Sequence, residues 1–389
     1  MKFTYYMPTK IYFGKESIKN LGTAAENLGK KAMIVIGKSG AMRRYGQLDR
    51  VTKELDSKGI EYIIYDKILP NPLDSEVNEA AKIAKDEEID FIIGLGGGST
   101  IDSAKAIAIT AKGDLPFWEY VHGGTGGGKI PKEALPLIAI PTTSGTGTEA
   151  DPFAVVTKKG AKEKIGIGYE IIYPKYSIVD PEFTLSLPKE QTAFTGMDAF
   201  FHALESYLNV GHQPTSDLLA LEAMELINIY LPVAVKDGQN YDAREKLAWA
   251  STAAGICEAL SGCIAHHSLE HALSAFYPEI PHGQGLIALG PAFFEYISPE
   301  VEARLITVSK ILGAGKTAIG FVHALVRLIK LLDLPKLNLK DLGVEREKIP
   351  EMAENAFYTM GKLFEVTPVK LTKEDVIKIY ERAYDYDFS

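Results

Sequence analysis

The side chains from which chemistry could be built lie between Thr195 and Gly285: Asp198, His202, His266, His267, His271 and His282. The chain has 8 histidines in 389 residues, and five of them belong to this group. The run Thr195–Tyr207 reads as helix, which puts Asp198 and His202 on one face, one turn apart. His267 and His271 repeat that spacing on a second apolar segment. His282 stands in Pro281-His-Gly-Gln-Gly285, a turn leading into another helix. Any one of these imidazoles alone reads as an ordinary packed histidine. An Asp-x-x-x-His pair followed by His-x-x-x-His and Pro-His-Gly reads as a metal centre. Imidazoles with one carboxylate suit a borderline cation such as iron or zinc, not calcium or magnesium.

Gly196-Met-Asp-Ala199 with His202-Ala203, His267-x-x-x-His271 and Pro281-His-Gly283 resembles the iron-containing (group III) alcohol dehydrogenases. The likeness runs from Lys10-Ile-Tyr-Phe-Gly14 to the last helix. The resemblance implies a divalent metal on Asp198, His202, His267 and His282: Fe2+ by family, with Zn2+ or Ni2+ open by ligand type. It places His271 near the reacting centre without making it a ligand, so His271 and Asp198 are the expected catalytic residues. It assigns no role to His266. It also implies a homodimer. One departure is Val366-Thr-Pro-Val-Lys370, where family members often carry Asn-Pro-Arg before the last helix.

Two kinds of element must position these residues. Apolar, β-branched runs at Ala32–Ile36, Tyr62–Tyr65, Phe91–Leu95, Leu137–Ile140 and Ser177–Val179 alternate with helical patterns such as Leu48–Lys58 and Glu76–Glu87. That alternation predicts an α/β domain with a Rossmann-like parallel sheet over 1–185. Beyond Pro188 nearly every segment has helical period, which predicts an all-α, metal-binding domain over 186–389. The resemblance implies that the whole has the architecture shared by dehydroquinate synthase and the group III alcohol dehydrogenases. The site is expected in a cleft between the domains, with the cofactor on the sheet side.

The cofactor loops follow strands. Phe91-Ile-Ile-Gly-Leu-Gly-Gly-Gly-Ser-Thr-Ile-Asp102 runs from a strand through glycines into a helix expected to start at Ser99, a geometry that suits a pyrophosphate. Ser99 replaces the third glycine of the dinucleotide fingerprint, so the motif alone is weak. The resemblance makes Gly97, Gly98, Ser99 and Asp102 its diphosphate loop, with Lys105 completing the motif. It assigns Thr142, Thr143 and Thr148, after the strand ending at Pro141, and Lys164 to cofactor contacts. Gly37, Ser39 and Asn71 complete the expected cofactor set. Gly123-Gly-Thr-Gly-Gly-Gly-Lys129 imitates a P-loop, but Ile130 stands where Ser or Thr is required and Pro131 follows, so a flexible surface loop is expected.

Composition bounds the rest. The net charge of −9 disfavours nucleic acid and anionic membranes as partners. Cys257 and Cys263 fit no zinc or redox spacing and read as packed thiols. No 18-residue apolar run is read from the sequence, and Met1-Lys-Phe-Thr lacks a signal-peptide pattern, so a cytoplasmic protein without a membrane segment is expected. The function expected is hydride transfer between a nicotinamide and a small primary alcohol or its aldehyde. The alternatives are a glycerol-type polyol dehydrogenase and a dehydroquinate synthase-like lyase; the lyase would need a basic cluster that the neighbours of Asp198 and His267 do not supply. Phe153, Phe194, Phe200, Phe276 and Tyr277 are candidates to line the substrate site. Of the two cofactors, NADP is expected over NAD, because Gly37 replaces the acid that would repel a 2′-phosphate and Lys38, Arg43 and Arg44 follow.

Overall fold

Strands β1 (Lys10–Phe13), β2 (Lys31–Gly37), β3 (Glu61–Ile68), β4 (Phe91–Gly96) and β5 (Leu137–Pro141) follow one another with helices between most of them. An antiparallel hairpin, β6 (Phe153–Thr157) and β7 (Lys164–Gly168), precedes β8 (Tyr176–Val179). The structure is a computed structural model and describes residues 2–388. Six strands pair in parallel in the order β1-β8-β5-β4-β2-β3. The central strands β2, β4 and β5 are buried along almost their whole length, as strands covered on both faces must be. The five strands expected from sequence are all present, each one to four residues longer. Strand β1 and the hairpin were not anticipated.

The chain winds from β2 outward to β3, then returns to place β4 on the other flank of β2. The carboxyl ends of β2 and β4 therefore diverge at a topological switch point, where open parallel sheets bind their ligands.

Chain contacts define two units: Tyr6–Leu187, which holds the sheet, and Pro188–Ser389 together with Met1–Tyr5. In the second, helices Lys189–Leu208, Pro214–Lys236, Tyr241–Ser261, Ala265–Phe276 and His282–Ile297 share one apolar core with the later helices. Pro188 caps the first of them, where its missing N–H costs nothing. The expectation of no long apolar run fails at Pro214–Lys236, which among the described residues is the one helix long and apolar enough to cross a membrane. Its Ala220, Ala223, Met224, Ile227 and Leu231 are buried at helical spacing against Lys189–Leu208 and Tyr241–Ser261, while Glu222 and Glu225 are exposed.

Candidate metal centre and cofactor loops

Three helices deliver the four expected ligands. Asp198 and His202 lie on Lys189–Leu208 and His267 on Ala265–Phe276. His282 is the first residue of His282–Ile297, not part of the preceding turn, because Pro281 takes the cap position. Close approach of the helices needs Gly283: a Cβ there would lie 2.1 Å from the carbonyl oxygen of Phe194. Asp198 Oδ1 is the point of convergence. It lies 3.4 Å from His202 Nδ1 and 3.6 Å from Nε2 of both His267 and His282. Bonds of ~2.0–2.2 Å at tetrahedral angles would put donor atoms ~3.3–3.6 Å apart around one cation.

The donor atoms also want a partner. Asp198 Oδ1, His202 Nδ1 and His267 Nε2 are buried and have no hydrogen-bond partner among the described residues. Each such atom costs ~1–3 kcal/mol, and three on one spot are the signature of a cation seat. Burial pushes the Asp198 carboxyl up, but His202, His267 and His282 outweigh it and bring it down to about 2. Burial lowers His202 to about 4 against the pull of Asp198. At neutral pH Asp198 is thus ionised and His202 neutral, the states a metal ligand needs. His271 is buried on the helix of His267, its ring centroid 5.6 Å from that of His282.

Two buried glutamates that sequence reasoning passed over orient the imidazoles. His267 Nδ1 donates to Glu205 Oε1 at 2.6 Å, which leaves Nε2 to face Asp198. His282 Nδ1 bonds Glu270 Oε2 in the same way, leaving its Nε2 towards Asp198. Glu205 also receives Ile264 N on Oε2 at 2.9 Å and His266 Nδ1 on Oε1 at 2.8 Å, and these imidazoles hold its carboxyl well below the usual range despite burial. His266, unassigned from sequence, donates from Nε2 to the Leu286 carbonyl at 3.1 Å. It therefore ties the helix of His267 to that of His282. A signal was available: Glu205 and Glu270 each stand three residues beyond a ligand histidine, in helical stretches with no other charge nearby. The departure at Val366–Lys370 also has a purpose, since Thr367 Oγ1 accepts Ala265 N at 3.0 Å, at the start of the His267 helix. Phe200 is fully buried in the helical core, packed edge-on against Phe201.

In the sheet unit, Gly37 ends β2, Asn71 follows β3, Gly97, Gly98 and Ser99 follow β4, and Thr142 and Thr143 follow β5. The structure thus brings seven expected cofactor residues to the carboxyl ends of four adjacent strands, β3-β2-β4-β5. Asn71 has φ 52°, a left-handed conformation that asparagine tolerates better than most residues. The helix after β4 begins at Gly98, one residue earlier than expected, with Gly97 as its cap. The glycine loop packs directly on the hydroxyl loop: a Cβ on Gly98 would lie 2.4 Å from Thr146 Cγ2. Ser39 Oγ accepts Ala41 N at 3.3 Å, Arg44 donates to the Ser39 carbonyl, and Arg43 pairs with Asp66.

Asp102, Thr148 and Lys164 differ from their neighbours in that list. Asp102 is buried, accepts Thr148 Oγ1 at 2.7 Å and Val155 N at 3.0 Å, and is pushed up to about 6 by burial, with Lys105 opposing. Lys105 Nζ in turn reaches Thr148 Oγ1, Asp151 Oδ1 and the Phe153 carbonyl. Asp102 and Thr148 are therefore also engaged in joining the helix after β4 to the hairpin. Lys164 is buried on β7, paired with Thr157. The Gly123–Lys129 loop is at the surface but not loose: Thr125 donates from N and Oγ1 to Glu163 Oε2, at 2.9 and 3.0 Å.

Residues 8–181 match the family described as "Iron-containing alcohol dehydrogenase", and residues 192–384 match "Fe-containing alcohol dehydrogenase family, C-terminal". The chain is 37% identical to the long-chain primary alcohol dehydrogenase AdhA of Thermoanaerobacter ethanolicus, over 96% of this chain and 95% of that one. It is 32% identical to the NAD-dependent methanol dehydrogenase of Bacillus methanolicus, over 97% and 99%. Among solved structures it is similar to ADH/D1, an archaeal halo-thermophilic alcohol dehydrogenase from a Red Sea brine pool, with TM-score 0.94, 38% identity and coverage of 98% and 99%. An iron-containing alcohol dehydrogenase of Thermotoga maritima gives TM-score 0.86 at 33% identity, covering 98% and 99%. Both halves of the sequence and the fold agree with the donor set, and the chain belongs to the iron-containing alcohol dehydrogenase family, as a metal-dependent, NAD(P)-linked alcohol dehydrogenase.

Proposed function

We propose that Asp198, His202, His267 and His282 hold a single divalent cation, Fe2+ by family, and that the enzyme interconverts a small primary alcohol and its aldehyde. The observation that carries this reading is the convergence of three imidazole nitrogens on Asp198 Oδ1 within 3.4–3.6 Å. A cation on this set would supply Lewis-acid polarisation of the alcohol or carbonyl oxygen, and a bound nicotinamide would supply the hydride chemistry. Asp198 brings one negative charge and the imidazoles none, so the protein neutralises only part of a dication. Glu205 and Glu270 hold the Nδ1 protons of His267 and His282 and so keep both Nε2 lone pairs available. His271, buried beside His282, is placed to take the hydroxyl proton and pass it on, since an imidazole exchanges protons near neutrality. Gly97, Gly98 and Ser99 with Thr142 and Thr143 would receive the nicotinamide cofactor, and Gly37, Ser39 and Asn71 its adenosine end.

The finer part of the proposal is a preference for NADP. A Cβ on Gly37 would meet nothing closer than 3.8 Å, so a side chain would fit there, and the glycine leaves the position without an acid to repel a 2′-phosphate. The Arg43–Asp66 pair is exposed and worth ~0–1 kcal/mol, too little to hold Arg43 from a phosphate dianion. Comparing kcat/KM for NADP and NAD tests this, and a wild type that favours NAD ends it. Metal analysis of alanine variants tests the ligand set. Asp198, His202, His267 and His282 variants should lose metal and turnover. The His271 variant should keep metal and lose ~10²–10⁴-fold in rate. A His267 variant that keeps its full complement of metal would sink the assignment.

A further inference from the structure

Cys263 is not among the proposed ligands, and its surroundings are not those of a simple packed thiol. It is buried in the short link Gly262-Cys263-Ile264 between two helices, and the backbone around it is fixed from the Asp198 helix. Ser206 Oγ donates to the Gly262 carbonyl at 3.1 Å, Asn209 Nδ2 to the Cys263 carbonyl at 3.0 Å, and Ile264 N to Glu205 Oε2 at 2.9 Å. The thiol so held has its sulfur within 4.8 Å of a ring nitrogen of His202 and of His267. The other cysteine contrasts with it: Cys257 Sγ donates to the Ser216 carbonyl.

We propose that His202, Cys263 and His267 form a second, overlapping cation seat, selective for soft divalent cations such as Cd2+ and Zn2+. The proposal rests on reading His202 and His267 as metal ligands. His202 can serve either seat, because it has two ring nitrogens: Nδ1 faces Asp198 at 3.4 Å while Nε2 lies 3.6 Å from Glu258. His267 can serve only one cation at a time, since its Nδ1 is bonded to Glu205 and Nε2 alone is left. The two seats therefore exclude each other. Thiolate sulfur favours cadmium and zinc over ferrous iron, whereas the Asp198 and His282 side offers only hard and borderline donors. A soft cation would be drawn off Asp198 and His282 and would block the iron seat by holding its histidines.

The test uses the full-length, metal-free enzyme, its Cys263→Ser and Cys257→Ser variants, and Cd2+ alone as the probe. Wild type should develop an ultraviolet sulfur-to-cadmium charge-transfer band that saturates at one Cd2+ per chain and is suppressed by prior loading with Fe2+. Cys257→Ser should keep the band. Cys263→Ser should lose it and bind Cd2+ at least ~10-fold more weakly, the low end of what even an outer partner of a metal ligand costs. Fe2+ loading of Cys263→Ser should match wild type, which also shows that the variant is folded. Cd2+ binding without the band, or a band lost with Cys257 instead, overturns the second seat and leaves the iron seat standing. Failure of both Fe2+ and Cd2+ to bind wild type overturns both.

Discussion

Glu205→Gln is the most informative single change, because the carboxylate faces donors on both of its oxygens. Oε1 receives the Nδ1 protons of His266 and His267, and Oε2 receives Ile264 N and, at 3.4 Å, His267 N. A glutamine has one acceptor oxygen and one donor group. If its NH2 occupies the Oε2 side, it opposes the Ile264 amide and leaves a buried donor unmet, at ~1–3 kcal/mol. If the NH2 takes the other side, it opposes two imidazole N–H groups. His266 can yield, because a ring that keeps its Nε2 proton on the Leu286 carbonyl can accept the NH2 on Nδ1. His267 can yield only by moving its proton from Nδ1 to Nε2, which removes the lone pair facing Asp198. Either orientation harms the seat, and metal affinity should fall ~10–100-fold, about 1.4–2.7 kcal/mol. The assay is anaerobic Fe2+ titration of metal-free protein, read as the free ion concentration at half-loading, with a thermal melt of the same samples. A variant that loads at the wild-type concentration would refute the role assigned to Glu205.

Three further outcomes are expected. Gly98→Ala should raise the cofactor Kd by displacing Thr146, and Thr146→Ala should recover part of the loss, since it removes the Cγ2 at 2.4 Å and leaves only a 3.2 Å contact; no recovery would mean the clash is not the cause. Asp102 binds its proton more tightly folded, at about 6, than unfolded, at 3.8, so wild type loses stability as pH rises through that window, by ~3 kcal/mol. Asp102→Asn has no such loss, and denaturant melts at pH 4 and pH 7 should show its stability relative to wild type rising with pH; a constant gap would contradict the burial account. Thr367→Val should cost ~1 kcal/mol of stability through the uncapped Ala265 amide, and an unchanged denaturation midpoint would show that hydroxyl to be idle.

What the sequence disclosed, and what it hid, divides along a physical line. Residues whose spacing within one helix or one loop carries the message were legible: Asp198 with His202, His267 with His271, the glycines after β4. The sheet's central strands were legible because burial on both faces leaves an uninterrupted apolar run. Partners set by tertiary packing were not. Glu205 meets His266 and His267 across about sixty residues of chain, and Thr367 meets Ala265 across about a hundred, so no local spacing announces either. The β6–β7 hairpin was hidden for a different reason. Its strands are half-buried and short, and the hydroxyl-rich run before them drew the reading towards a loop. Asp102 was legible as part of its motif, but its bonds to Thr148 and Val155, about fifty residues away, are set by the fold.

The glycine-rich stretch at Gly123–Lys129 supplies its own anion. Glu163 is tethered to the loop through the same unit of fold, so its carboxylate competes at an effective concentration on the order of millimolar or above without ever diffusing away. A free phosphate would have to evict it and would leave a partly buried carboxylate unpaired. Self-occupancy by Glu163 thus adds to what Ile130 and Pro131 already deny this turn, and sets it apart from the glycine turn after β4.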